Sequence, residues 1–97
     1  MRDYELMVVL TPELDEEGVT AATDRVKTLV TSRGGEVVDV QAWGRRRLAY
    51  PIQKYRDGFY AVAKLKLSPE AAEPLDRGLR LSDAVMRHLL VRVDENS

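Results

Sequence analysis

Phe59-Tyr60-Ala61-Val62-Ala63-Lys64-Leu65-Lys66-Leu67-Ser68-Pro69-Glu70 is the stretch whose reading decides the fold. Phe59, Ala61, Ala63, Leu65 and Leu67 alternate with Tyr60, Val62, Lys64 and Lys66. Period two is the pattern of a strand with one buried face. The first set is the candidate core, and the second faces out. Ser68 follows as a helix N-cap, with Pro69 at the first helical position, where a missing N–H costs nothing. A strand apolar on one face and followed directly by a helix points to a sheet covered by helices on one side.

Working towards the N-terminus, Asp57-Gly58 is a turn signal between two extended runs. The earlier run extends from about Glu36 to Ile52 and opens with Val37-Val38-Asp39-Val40. Gly44 marks a bulge or bend within it. Pro51 has no N–H, so that end lies on an edge or leaves the sheet. Val19, Ala22, Val26, Leu29 and Val30 fall on one helical face. Asp15 is the expected N-cap of that helix, Glu16 and Glu17 suit its positive end, and Gly34-Gly35 ends it. Before Thr11-Pro12-Glu13, Tyr4, Leu6, Val8 and Leu10 alternate with Asp3, Glu5, Met7 and Val9, which reads as a first strand.

Towards the C-terminus, Ala72, Leu75 and Leu79 form a helical stripe. Pro74 removes an intrahelical bond there, which predicts a kink or a helix that starts nearer Pro74. Leu81-Ser82-Asp83 is a turn, Val85 to Val93 the last strand, and residues 94–97 a polar tail. The order β-α-β-β-α-β predicts an α+β, ferredoxin-like sandwich. Right-handed crossovers place both helices on one face of a four-stranded antiparallel sheet. Residues 1–93 are read as a single domain. The other sheet face, with Tyr60, Val62, Lys64 and Lys66, is left open as a docking surface.

The 97 residues carry a net charge of −1 with a strong internal asymmetry. Residues 1–40 hold four basic and nine acidic side chains, residues 41–66 seven and one, and residues 67–97 four and six. A basic block between acidic ones suits one oriented anionic partner rather than general affinity for polyanions. No cysteine is present, which excludes disulfides, thiolate metal sites and cysteine nucleophiles, and fits a reducing compartment. No apolar run is long enough for a signal peptide or a membrane span, so the expected location is cytoplasmic.

The centre of the basic block is Trp43-Gly44-Arg45-Arg46-Arg47-Leu48-Ala49-Tyr50-Pro51-Ile52. Three adjacent arginines repel one another and spoil both faces of a strand, so stability alone does not explain them. The guanidinium fork suits phosphate, and Trp43 and Tyr50 suit unpaired bases or a protein partner. In a regular strand the three arginines alternate in direction, so one face cannot hold all of them unless Gly44 introduces a bulge. Lys54 and Arg56, in or near the hairpin, extend the block as solvated side chains or rim phosphate contacts. Lys64, Lys66, Arg87 and Arg92 rank behind these. A charged edge strand that blocks edge-to-edge pairing is the structural alternative.

Enzyme chemistry finds no support in these residues. His88 is the one histidine and stands in the last strand among apolar neighbours, as a structural histidine does. There is no nucleophile-elbow serine, no metal-ligand cluster and no glycine-rich phosphate loop, so no catalytic group, metal, cofactor or small-molecule substrate is expected. Arg56-Asp57-Gly58-Phe59-Tyr60-Ala61-Val62-Ala63 loosely matches the RNA-recognition-motif signature, with the glycine displaced and the final aromatic absent. A ferredoxin-like protein-interaction module remains the rival from another class.

Met1-Arg2-x-Tyr4-Glu5, the block from Trp43 to Ile52, and Asp83-Ala84-Val85 together resemble the bacterial small-ribosomal-subunit protein S6 family (bS6-like). The resemblance spans the whole domain. It implies a structural constituent of the small subunit that binds 16S rRNA in the central domain (platform) together with the small basic ribosomal protein S18. By carry-over it assigns Arg2, Tyr4, Arg45, Arg46, Arg47 and Tyr50 as a group to the RNA and partner surface. Trp43 joins that surface by its chemistry, as an aromatic anchor or a half-buried core residue. The tail after Val93 is short and acidic, so no partner contact is assigned to it.

Overall fold

A computed structural model describes residues 1–93. The expected polar tail, 94–97, lies outside the described residues. The first apolar alternation forms β1, Arg2–Leu10. Helix α1, Glu16–Ser32, starts at Asp15, whose carboxylate accepts from Gly18 N–H at 2.8 Å. It ends in a Schellman motif: Gly34 N–H donates to Thr31 O and Gly35 N–H to Val30 O, both at 3.0 Å. Gly34 adopts φ 77°, and a Cβ on Gly35 would lie 2.4 Å from Leu67 Cδ2. Both glycines are therefore required, one by conformation and one by contact.

Strands β2, Glu36–Ile52, and β3, Tyr55–Leu67, form a long hairpin. Helix α2, Pro69–Arg80, and strand β4, Val85–Arg92, complete the chain. The sheet order is β2-β3-β1-β4, with every neighbouring pair antiparallel. Tyr4, Leu6, Val8 and Leu10 of β1 share one core with Ala63, Leu65 and Leu67 of β3. Ala22 and Val30 of α1, and Ala71, Leu75 and Leu79 of α2, close it. Both helices therefore cover the same sheet face, as the ferredoxin-like reading expected.

Two local expectations are corrected. The hairpin turn is Gln53-Lys54, between Ile52 and Tyr55, with Gln53 at φ 57°. Asp57-Gly58 lies inside β3 instead. Gly58 is needed there for contact: a Cβ would lie 2.6 Å from Val9 Cγ1 and 2.9 Å from Leu10 O. Helix α2 begins at Pro69 and runs through Pro74 rather than starting near it. An interior proline costs about 3 kcal/mol. Leu75 and Leu79, both fully buried, return about 1.5–3 kcal/mol each. The stripe that docks the helix offsets the lost bond.

The expected bulge is present at Gly44, with φ 77°. Ala42 pairs with Ala61 and Gly44 with Tyr60, so Trp43 is the extra residue. A second register shift, between Val37 and Asp39, leaves Val38 as an extra residue in the same strand.

Candidate nucleic-acid interface

β1 ends at the Leu10–Phe59 pair. β2 and β3 continue past it as a two-stranded ribbon, with Arg45 opposite Phe59, Arg46 opposite Gly58 and Arg47 opposite Asp57. The bulge precedes the three arginines, so they keep strand alternation among themselves. They nevertheless line one shallow, open depression together with Arg56 and Asp57. A two-stranded ribbon twists more strongly than a wide sheet, which lets residues of both faces border one concavity.

Inside this depression the cations are held to different degrees. Arg45 is ion-paired with Asp57, and its guanidinium lies 5.7 Å from the centre of the Phe59 ring. Arg46 Nε donates to Trp43 O at 3.2 Å and lies over the Trp43 ring at 5.9 Å. Arg47 and Arg56 have no ion-pair partner among the described residues. Four guanidinium groups thus face one carboxylate. Such an excess, exposed to water, is a cost to the free protein that a polyanion would relieve. Trp43 is 47% exposed, with its indole N–H 3.4 Å from Gln41 Oε1. It is therefore a half-exposed aromatic beside Arg46, outside the core. Lys54 sits at the turn, over the Tyr55 ring at 5.8 Å.

Tyr50 lies at the far end of β2, where the register jumps from Arg47–Asp57 to Ile52–Tyr55. Leu48 to Pro51 therefore face Arg56 alone and arch away from regular pairing. Leu48 turns inward and is 9% exposed, whereas Tyr50 is 56% exposed. The Tyr50 ring is met by Arg87 of β4, which donates to its hydroxyl and lies 5.5 Å from the ring centre. A second tyrosine ties down the hairpin: Tyr55 OH donates to the Glu13 carboxylate. That hydrogen bond, first among the causes, raises the Tyr55 hydroxyl above its ordinary pKa.

Two expected members do not stand here. Tyr4 is 7% exposed and packs in the core beside Leu6. Arg2 is exposed but begins β1, opposite Leu67, while the ribbon continues from the Leu10 end. Eight residues of strand separate those ends by about 26 Å. Lys64 is flanked in register by Glu5 and Asp39, and Lys66 by Asp3 and Glu36. Lys66 and Asp3 approach to 3.6 Å. Each of those lysines therefore lies between two acids in register, and Lys66 is ion-paired as well.

His88 has a partner that the sequence did not disclose. Its Nε2–H donates to Asp76 Oδ1 at 2.6 Å, and Asp76 also binds Arg80. The hydrogen bond from His88, followed by that from Arg80, holds the Asp76 carboxyl below its ordinary pKa. This cluster ties β4 to α2. No group of three or more potential metal ligands occurs among the described residues.

The family model for ribosomal protein S6 matches residues 3–92. The chain belongs to the ribosomal protein S6 family. Family membership makes it a protein of the small ribosomal subunit, and so of the cytoplasmic ribosome. The small ribosomal subunit protein bS6 of Beutenbergia cavernae is 47% identical over 94 residues, covering 97% of this chain and 98% of the relative. That of Carboxydothermus hydrogenoformans is 45% identical over 95 residues, covering 98% and 99%. The crystal structure of 30S ribosomal protein S6 from Thermotoga maritima superposes with a TM-score of 0.89 at 28% identity, covering 95% of this chain and 87% of that one. The C-terminal domain of the MgtC protein from Mycobacterium tuberculosis reaches a TM-score of 0.67 at 15% identity, covering 100% and 93%. This second likeness shows only that the same fold occurs elsewhere.

Proposed function

We propose that the chain binds the central domain of 16S rRNA through the β2–β3 ribbon, jointly with ribosomal protein S18. One observation carries this reading: Arg45, Arg46, Arg47 and Arg56 border one open depression with Asp57 as its single acid. Arginine in such a group donates to phosphate oxygens with a geometry that lysine lacks. Trp43 and Tyr50 flank the cations as exposed aromatics that stack on unpaired bases or anchor a protein partner. Family membership supports the ribosomal setting.

A protein of net charge −1 engages few phosphates alone. With about three to five engaged, the salt slope is about −3 to −4 and affinity is modest. A basic partner adds positive charge and buried area, so RNA binding by the two is cooperative. The experiment is binding to a central-domain rRNA fragment, with and without S18, across a salt series. Cooperative, salt-dependent binding supports the reading. Tight, salt-insensitive or partner-independent binding counts against the charge-sharing mechanism.

A second reading, a protein-only interaction module, has its own observation. On the helix-free face, Val62, Met7 and Leu89 are successive neighbours across β3, β1 and β4, and Leu89 and Val91 are about half exposed. The adjacent lysines lie between acids in register. Docking on that face would be insensitive to salt, and the salt series separates the two.

A further inference from the structure

We infer that Arg87 and Tyr50 together form a further RNA-contact point, in which the Arg87 guanidinium takes one phosphate and the Tyr50 ring takes an unpaired base. This rests on the RNA-binding reading above. Arg87 and Tyr50 lie 37 residues apart, on strands at opposite edges of the sheet. The arch from Leu48 to Pro51 brings them into contact, because those residues lack regular partners in β3. Leu48 anchors the arch by burial, and Tyr50 is left outside.

The geometry suits a nucleotide for three reasons. Arg87 is exposed, and Tyr50 is the one hydrogen-bond partner of its guanidinium among the described residues. A guanidinium has five N–H donors, so most remain for a phosphate. Among the described residues no acid pairs with Arg87, in contrast to Arg45, whose charge Asp57 offsets. The guanidinium is also held in place by the Tyr50 ring and hydroxyl. A cation already ordered loses less side-chain entropy when it captures phosphate. Finally, Tyr50 is 56% exposed although Arg87 lies over its ring, so the ring retains surface for base stacking.

The test compares wild-type protein with Arg87→Ala, Arg87→Lys and Tyr50→Phe. Each is titrated with the central-domain rRNA fragment in the presence of S18 across a salt series, and thermal melts check the fold. Arg87→Ala is expected to weaken binding by about 10-fold and to reduce the magnitude of the salt slope by about one. Arg87→Lys should keep the slope but recover only part of the affinity, since a flexible ammonium loses the stacked, forked geometry. Tyr50→Phe keeps the ring and should cost no more than a few-fold. Wild-type binding that Arg87→Ala leaves unchanged overturns this inference while the ribbon reading stands. Weaker binding with an unchanged slope also overturns it, because Arg87 would then only position the hairpin. Weakened S18 association with RNA affinity intact overturns it in favour of a protein contact. Failure of the wild type to bind RNA in any condition removes the ribbon reading and this inference together.

Discussion

The ribbon and the helix-free sheet face both carry basic side chains and treat them in opposite ways. On the sheet face, Lys64 lies in register between Glu5 and Asp39, and Lys66 between Asp3 and Glu36. In the ribbon, four arginines share one aspartate. Opposite-charge neighbours across strands contribute modestly to the sheet and leave little field outside it. Arginines in excess of the acids do the reverse: they steady the fold little and project a field. The difference separates charges that register sets beside acids from charges that outnumber the acid near them, although net charge alone conceals both.

The comparison breaks most directly at Arg46 and Arg47. The double variant Arg46→Ala/Arg47→Ala should weaken rRNA binding by about 10- to 100-fold and reduce the magnitude of the salt slope by about two, with the thermal midpoint nearly unchanged. Parallel losses of fold and binding, read by melting and titration, would mean that the arginines are structural. Gly58→Ala tests the junction of ribbon and sheet. Its Cβ would lie 2.6 Å from Val9 Cγ1 and 2.9 Å from the Leu10 carbonyl oxygen, so denaturant unfolding should show a loss of about 1–3 kcal/mol.

Asp57→Asn sharpens the comparison in the opposite direction. It frees Arg45 and removes the one acid of the depression. Binding should tighten by about 2- to 5-fold at low salt, with a steeper salt slope. Weaker binding would instead mean that Asp57 orients Arg45 for its contact. Removing Lys64 and Lys66 together should leave RNA affinity within about twofold and cost at most about 1 kcal/mol of stability, since exposed pairs contribute little. A clear loss of RNA affinity would erase the distinction between the two regions.

The Asp76 cluster supplies a control away from both regions. Its carboxyl is held below the ordinary value by the hydrogen bonds from His88 and Arg80. Such a group contributes stability above the ordinary carboxylate range, and that contribution is lost as pH falls through the depressed folded value. Thermal midpoints followed into acid should therefore fall further for wild type than for Asp76→Asn. At neutral pH the variant should be the less stable. Equal pH profiles would show that the tie between β4 and α2 contributes nothing.

Two readings of Tyr4 competed in the sequence, and packing decided between them. Its period-two place beside Leu6, Val8 and Leu10 pointed to the core, whereas the family resemblance pointed to the surface. At 7% exposure it follows the periodicity. The hairpin turn shows the converse. Asp57-Gly58 has turn composition, yet Gly58 answers to Val9 and Leu10, residues far away in the chain. Local propensity is a weak signal where a distant contact imposes a stronger demand.

What the sequence determined by itself is what depends on short-range repetition and steric rules. Alternation in β1 and β3, the Asp15 cap, the Gly34-Gly35 close and the Gly44 bulge all act within a few residues. Together they yield the β-α-β-β-α-β order and, with the arginine run, the charged character of the candidate site. Only the tertiary structure decided which charges remain unneutralised. Strand register places each of the sheet lysines between two acids, the ribbon offers four arginines one aspartate, which Arg45 takes, and the arch carries Tyr50 to Arg87. Those outcomes depend on which residues meet across the sheet, and a one-residue shift of register would reassign them.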